Sequence, residues 1–299
     1  MLFHFIQLLT IKLRFDSLLH FINSNQLFKF EQINMEINNY TGTRFNGFDK
    51  ETVEDSLIIE HPLKININQK PFTITMQTPG SELDLVRGLL FTENVYLDLN
   101  KAPKFSVTKS NTTHLIDSVE VEVDNNELGN GASIVRNIVS VSSCGICGKS
   151  DLEKPTDTKL INQQNLFTPQ QLFNMFEQMN SAQDSFIQSG GSHACAAFDM
   201  EGKMLSIKED VGRHNAVDKV IGNLINQNNL SNAKCLLVSG RISYEIVNKC
   251  FAAKIPILAA VSAPSSLAVD LAQEMELTLI GFSRDKRFTV YAHSNRIIL

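Results

Sequence analysis

The feature that most constrains this chain is the alternation of short apolar runs with helical periodicity in its C-terminal third. Residues 235–239, 256–261 and 277–282 are short, mainly apolar runs of strand-like length, broken only by Ser239 and Thr278, while 244–253 and 265–275 space their apolar residues as helices do. A strand buried on both faces reads as an unbroken apolar run, and regular alternation with helices argues a layered α/β domain with a largely parallel sheet. Residues 192–199 and 203–208 add a hairpin about Asp199-Met200-Glu201-Gly202, 215–224 adds a helix, and 288–292 adds a last strand.

The N-terminal half reads differently. Residues 55–67 alternate apolar and polar, reach a turn at 68–70, and alternate again over 71–77, which predicts a hairpin. Leu83, Leu85, Val86, Leu89 and Leu90 recur at helical spacing behind Ser81, a good N-cap type. Residues 105–109 and 114–123 predict further antiparallel strands, with a turn at 124–126. The expected organisation is therefore a small α+β part over 35–141, a loop and linker over 142–165, and an α/β domain over 166–299. The linker is polar and carries Pro155, which predicts a mobile crossing. Thr168-Pro169 then opens a helix with Leu172, Phe173, Phe176 and Met179 on one face.

Residues 1–34 stand apart. The apolar stretch 1–11 has no basic residues before it and no small-residue cleavage site after it, and Lys12, Arg14 and Asp16 interrupt it too early to span a bilayer. It reads as neither signal peptide nor membrane helix. The expectation is a non-native or disordered extension outside the fold, with Met35 as the real start.

A chain of 299 residues, 43% hydrophobic and 20% charged, is globular in composition. Its net charge of -5 argues against a nucleic-acid binder that works by phosphate neutralisation, so an anionic ligand has to be met by local arginines. The five cysteines are odd in number and scattered, which argues against a disulfide scaffold and for a reducing compartment.

Two of those cysteines, Cys144 and Cys147, sit in Ser143-Cys144-Gly145-Ile146-Cys147-Gly148 behind the apolar run 138–141. Glycines leave the thiols unshielded, and Lys149 favours the thiolate. Such a pair is half a zinc site, a thiol redox pair or a sulfur carrier. Zinc wants further ligands, for which His193, Cys195 and His114 are the candidates; the expected metal is none.

Three strand-to-helix junctions carry ligand-type residues: 209–215, with Arg213 and His214; 239–243, with Ser239 and Arg241; and 262–266. Such junctions gather along the carboxyl edge of an open α/β sheet, where helix N-termini attract anions and arginines give bidentate contacts. After the third apolar run come Phe282, Ser283, Arg284, Asp285, Lys286 and Arg287, a ring beside three cations. Together they suggest a site for a phosphorylated, ring-bearing ligand. Ser243 and Ser265 are also ordinary N-cap types.

The motifs Ser143-Cys144-Gly145-Ile146-Cys147-Gly148, Gly190-Gly191-Ser192-His193-Ala194, Glu209-Asp210-Val211-Gly212-Arg213-His214-Asn215-Ala216-Val217-Asp218-Lys219 and Ser239-Gly240-Arg241 resemble the FdhD family of formate dehydrogenase accessory sulfurtransferases. So do 255–258, 263–268 and 279–282, and the likeness runs over 58–293. It implies a cytidine-deaminase-like fold without catalytic zinc, in a cytoplasmic homodimer that engages neither nucleic acid nor membrane. It also implies that a cysteine desulfurase loads sulfur on Cys144 as a persulfide, with Cys147 as its partner. The sulfur then passes to the bis-molybdopterin guanine dinucleotide form of the molybdenum cofactor, ahead of its insertion into formate dehydrogenase. By motif, the cofactor-binding segment falls on Phe282, Ser283, Arg284, Asp285, Lys286 and Arg287. Ser192 and Cys195 depart from the apolar residues more usual there, and 1–34 match nothing in the family. A cofactor-binding chaperone and a thiol oxidoreductase are the competing readings.

Overall fold

The computed structural model describes residues 36–133 and 166–298. At its centre is a six-stranded sheet of β7 (His193–Phe198), β8 (Met204–Asp210), β9 (Cys235–Val238), β10 (Ile257–Ala260), β11 (Thr278–Arg284) and β12 (Arg287–Ala292), in the order β12-β11-β10-β9-β7-β8. Helices α4 (Arg213–Asn226), α5 (Tyr244–Ala252) and α6 (Ser266–Glu274) cover one face, packing Val217, Val247 and Leu271 on Ala197, Leu236, Leu258 and Leu279. Helix α2 (Pro169–Ser181) covers the other with Leu172, Met175, Phe176 and Met179 against Phe198, Leu237 and Ile280. Both faces are buried, which is why β9 and β10 are apolar at every position.

The layered α/β architecture is as expected, but the sheet is mixed rather than largely parallel. Only β9–β10 and β10–β11 pair parallel; β7–β8, β7–β9 and β11–β12 are antiparallel. The reason lies in connection length. A parallel pair needs a crossover of a dozen or so residues, while β7–β8 and β11–β12 are joined by tight turns. In the second turn Asp285 and Lys286 both take positive φ, 53° and 54°. The strand predicted to end at Phe282 thus continues through Ser283 and Arg284, and the six-residue segment predicted to bind cofactor forms a hairpin tip.

Ahead of this domain lie β3 (His61–Ile67), β4 (Lys70–Gln77), α1 (Glu82–Thr92), β5 (Lys104–Lys109) and β6 (Ile116–Glu122), with the sheet ordered β4-β3-β6-β5. The hairpin predicted about 68–70 is present, turning on Asn68 and Gln69 at φ 48° and 64°. The expectation of purely antiparallel strands fails at β3–β6, which pair parallel because α1 carries the chain over between them. Leu63, Ile65, Val119 and Val121 of this sheet bury Leu85, Val86, Leu89 and Leu90 of α1.

The opposite side of α1 lies against α4 at unusually close range. A Cβ on Gly88 would sit 1.9 Å from the Asp218 carbonyl oxygen, and one on Gly222 1.9 Å from that of Asp84. Only two glycines facing each other let the backbones approach so far. Ser81 precedes α1 without capping it; its hydroxyl accepts instead from Lys208 Nζ at 3.1 Å.

One element was not anticipated. Strands β1 (Ile37–Asn46) and β2 (Asp49–Ile58) form a separate antiparallel ribbon, so 55–58 end this ribbon and are not the start of β3. Phe48 at its tip is fully exposed, and nearly every other ribbon residue faces solvent. Without a buried face there is no apolar alternation to read. Among the described residues, no helix is long and apolar enough to cross a membrane.

Candidate functional site

Because β7 runs against both its neighbours, β8, β9, β10 and β11 all point the same way. Their C-terminal ends, with the first residues of β7 and β12, therefore share one edge of the sheet. The three junctions and the hairpin tip named from the sequence all stand on it. The loops after β9 and β10 are laced into one rim: Ile242 N donates to Ala263 O at 3.1 Å, Ser265 N to Ile242 O at 2.9 Å, and Phe282 N to Ser262 O at 3.1 Å.

The segment 209–219 divides in two along its length. One group of side chains is buried and fully committed. The Asp210 carboxylate accepts from Thr78 N at 3.0 Å, Gly212 N at 2.7 Å and Asn215 Nδ2 at 3.0 Å, and pairs with Lys219 Nζ at 2.7 Å. Lys219, 1% exposed, also donates to Thr78 O at 2.6 Å, and Asn215 Nδ2 to Met76 O at 2.7 Å. One turn on, Asp218 accepts from Lys249 Nζ at 2.9 Å and Thr92 Oγ1 at 2.8 Å, and Lys249 also meets Glu93 at 3.2 Å. These contacts join α4 to the end of β4, to α1 and to α5. They are structural cement.

Arg213, at the first position of α4, belongs to the other group. It is half-buried, its Nε has no hydrogen-bond partner, and no ion pair compensates it among the described residues. Arg241 is exposed on the β9 loop and is likewise without an ion pair there. Between them lies His193, opposite Asp210 in register. A Cβ on Gly240 would come within 3.3 Å of His193 Nδ1 and 3.6 Å of Arg213 Cβ, so the bare glycine lets ring and arginine close around it. Burial first, then the charge of Arg213 and Arg241, hold the His193 imidazole below its usual pKa.

The other predicted contacts are placed as follows. His214 is buried, and its Nε2 meets Ser243 Oγ at 3.1 Å and Glu245 at 3.8 Å, bracing the start of α4 on that of α5. Ser243 is thus engaged with His214 and makes no cap bond, whereas Ser265 caps α6 through Ala268 N at 3.3 Å. Ser239 Oγ accepts from Ala194 N at 2.9 Å and ties β9 to β7. Phe282 holds φ 55°, strained for an aromatic residue, and is 41% exposed with its ring tilted on Tyr291. Ser283 is buried with no partner for its hydroxyl among the described residues, and Arg284, Asp285, Lys286 and Arg287 are exposed at the tip. At about 4.8 Å per strand, this tip stands roughly 10 Å from the β9 loop.

Cys144 and Cys147 lie outside the described residues. Cys195, Cys235 and Cys250 are fully buried, and burial pushes each thiol up. Cys195 is therefore an inert core residue facing α4 and α5, not a second reactive thiol. Among the described residues, no three His, Cys, Asp or Glu side chains gather as a metal site. A cavity of about 260 Å³ lies beyond β8, lined by Glu36, Ser81, Ser185, Lys208 and Glu209. Three of its charged groups are engaged: Ser185 donates to Glu36, Lys208 bridges to Asp84, and Glu209 accepts from Ser185 N and Phe186 N. Of the junction 209–215 it takes in only Glu209, and neither Arg213 nor Arg241 lines it.

The comparisons agree with one another. A solved structure described as a formate dehydrogenase accessory protein from Desulfotalea psychrophila superposes with a TM-score of 0.69 over 88% of this chain and 100% of its own, at 20% identity, which establishes the shared fold. Proteins named sulfur carrier protein FdhD are 40% identical in Streptomyces avermitilis, over 83% of this chain and 91% of theirs. The one in Sulfolobus acidocaldarius is also 40% identical, over 82% and 92%. The model of the FdhD/NarQ family matches residues 58–298, and the chain belongs to that family.

Proposed function

We propose that this protein is a sulfurtransferase that carries sulfur as a persulfide on Cys144 from a cysteine desulfurase to the bis-molybdopterin guanine dinucleotide form of the molybdenum cofactor, for formate dehydrogenase. The observation that carries the reading is the pair of guanidinium groups, Arg213 and Arg241, left without carboxylate partners among the described residues on the sheet edge. Charges left uncompensated on a rigid rim favour an anionic ligand. The cofactor is cargo here. Its phosphates meet the two arginines and the N-termini of α4 and α5, and Phe282 offers a ring face to a flat base. The tip Arg284–Arg287 extends the cationic edge to suit an elongated ligand.

In the loading step the Cys144 thiolate attacks the outer sulfur of the donor's persulfide. A new S–S bond forms on Cys144, the donor's S–S bond breaks, and the donor cysteine leaves as thiolate. Lys149 favours the attacking thiolate, and Cys147 either receives the sulfur or releases it through a disulfide. The protein works as a cytoplasmic homodimer. Incubation with a cysteine desulfurase and cysteine should add the mass of one sulfur atom to the peptide bearing Cys144. If no sulfur adds there, or if Cys144→Ala still yields fully active formate dehydrogenase, a cofactor chaperone is the better account. Disulfide reduction of a generic substrate that depends on both cysteines would instead favour a thiol oxidoreductase.

A further inference from the structure

We propose that His193 is a further ligand-contacting residue of this edge, and that its imidazole takes up a proton when a diphosphate settles between it and the guanidinium groups of Arg213 and Arg241. This rests on the nucleotide-binding part of the function proposed above and goes beyond it. The placement is geometric. His193 opens β7, the strand that runs against its neighbours, so it reaches the rim from the opposite direction to the arginines. Its ring packs on the Gly240 backbone beside the stem of Arg213 and has no hydrogen-bond partner among the described residues.

The charges around it are lopsided. Arg213 of α4 and Arg241 of the β9 loop oppose an imidazolium, and Asp210 of β8 favours one. Asp210, however, is already held by Lys219, Asn215 and two backbone N–H groups. Of the other charged or titratable groups on the packed elements, Glu209 of β8 is turned to Ser192 and the backbone of Ser185 and Phe186. His214 and Glu245 face each other at 3.8 Å. In the free protein, burial and the two arginines therefore disfavour the imidazolium of His193. An anion between the arginines cancels their repulsion and adds its own attraction, so the bound protein favours the imidazolium. By linkage, anything that binds better to the protonated form draws a proton from solvent.

Calorimetric titration of wild-type protein with guanosine diphosphate, in buffers of different ionisation enthalpy at one pH, measures that proton directly. The expected result is net proton uptake near pH 6.5, with affinity rising as pH falls from 8 to 6, by about tenfold for each pKa unit the ring gains. H193Q should bind with an affinity flat over that range and without uptake beyond that of the nucleotide itself. Binding without uptake, or uptake unchanged in H193Q, overturns the role of His193 and leaves the nucleotide reading standing. Failure of the wild type to bind overturns both. Should H193Q not fold, the histidine ring resonances of the wild type decide the point: one that titrates below the usual range must move up when the nucleotide saturates, and spectra in which none moves overturn the proposal.

Discussion

Lys219 and Arg213 lie less than two helical turns apart on α4, and they do opposite things with the same charge. Lys219 is enclosed and meets Asp210 at 2.7 Å; Arg213 stands at the rim with its Nε unpartnered among the described residues. A buried cation is tolerated only when paired and hydrogen-bonded, so the first belongs to folding. A cation left uncompensated adds little to folding and remains available to a ligand. The family motif is therefore two instruments written over one another, and four experiments separate them.

The largest effect is expected for Lys219→Met. Removing the ammonium leaves the Asp210 carboxylate, 0% exposed, buried without its counter-ion, which costs about 3–5 kcal/mol in a denaturant melt. A loss under 1 kcal/mol would mean that the Asp210 network is not the joint described. Next comes Gly222→Ala, where the added carbon meets a backbone oxygen at 1.9 Å. Overpacking of this kind costs about 1–3 kcal/mol, and Gly88→Ala should match it, since the two face one crossing.

Arg241→Ala sharpens the contrast from the other side. Being exposed and without an ion pair among the described residues, it should change stability by no more than about 0.5 kcal/mol. It should nevertheless weaken guanosine diphosphate by about 10-fold or more in equilibrium dialysis, the worth of one charge-assisted contact. Equal affinity would remove Arg241 from the ligand-facing half.

The smallest effect concerns Glu36, whose carboxyl is raised above 4.5, first by burial. A carboxyl raised on folding makes the folded state the better proton binder. Its stabilising share is present below the ordinary value and is lost as pH rises through the raised one. Glu36→Gln should therefore flatten this part of the stability profile above pH 4.5 while leaving nucleotide affinity unchanged, as measured by melts across pH.

How much of this was legible in the residues depends on burial. Cys235 to Val238 and Ile257 to Ala260 are enclosed at every position, so their composition betrayed them. The ribbon β1–β2 buries almost nothing, and a strand without a buried face leaves no periodic trace. The parallel pairing of β3 with β6 was hidden because register across a helical crossover is decided by packing on α1, not by local pattern. The junctions bearing Arg213 and Arg241 were visible from their place after apolar runs. From the sequence, His193 is a zinc-ligand candidate and a member of the motif 190–194 but not a rim residue, because its place on the edge comes from strand direction. The signal available was the hairpin 192–208 itself: if β7 runs against β8, its first residue must share an edge with the last residue of β8. His214 was read together with Arg213, yet consecutive helical residues diverge by about 100°, and one turned inward.

The joint at Thr78 has a kinetic corollary. Its bonds to Asp210 and Val211 span 132 and 133 residues, and Thr75 reaches Asn215 across 140. Contacts so distant in the chain are slow to close, because the entropy of the intervening loop is lost before they return anything. The turn that presents Arg213 is tied down by these bonds. A nascent or half-assembled molecule consequently lacks a finished docking rim, and competence to hold cargo arrives together with the completed fold.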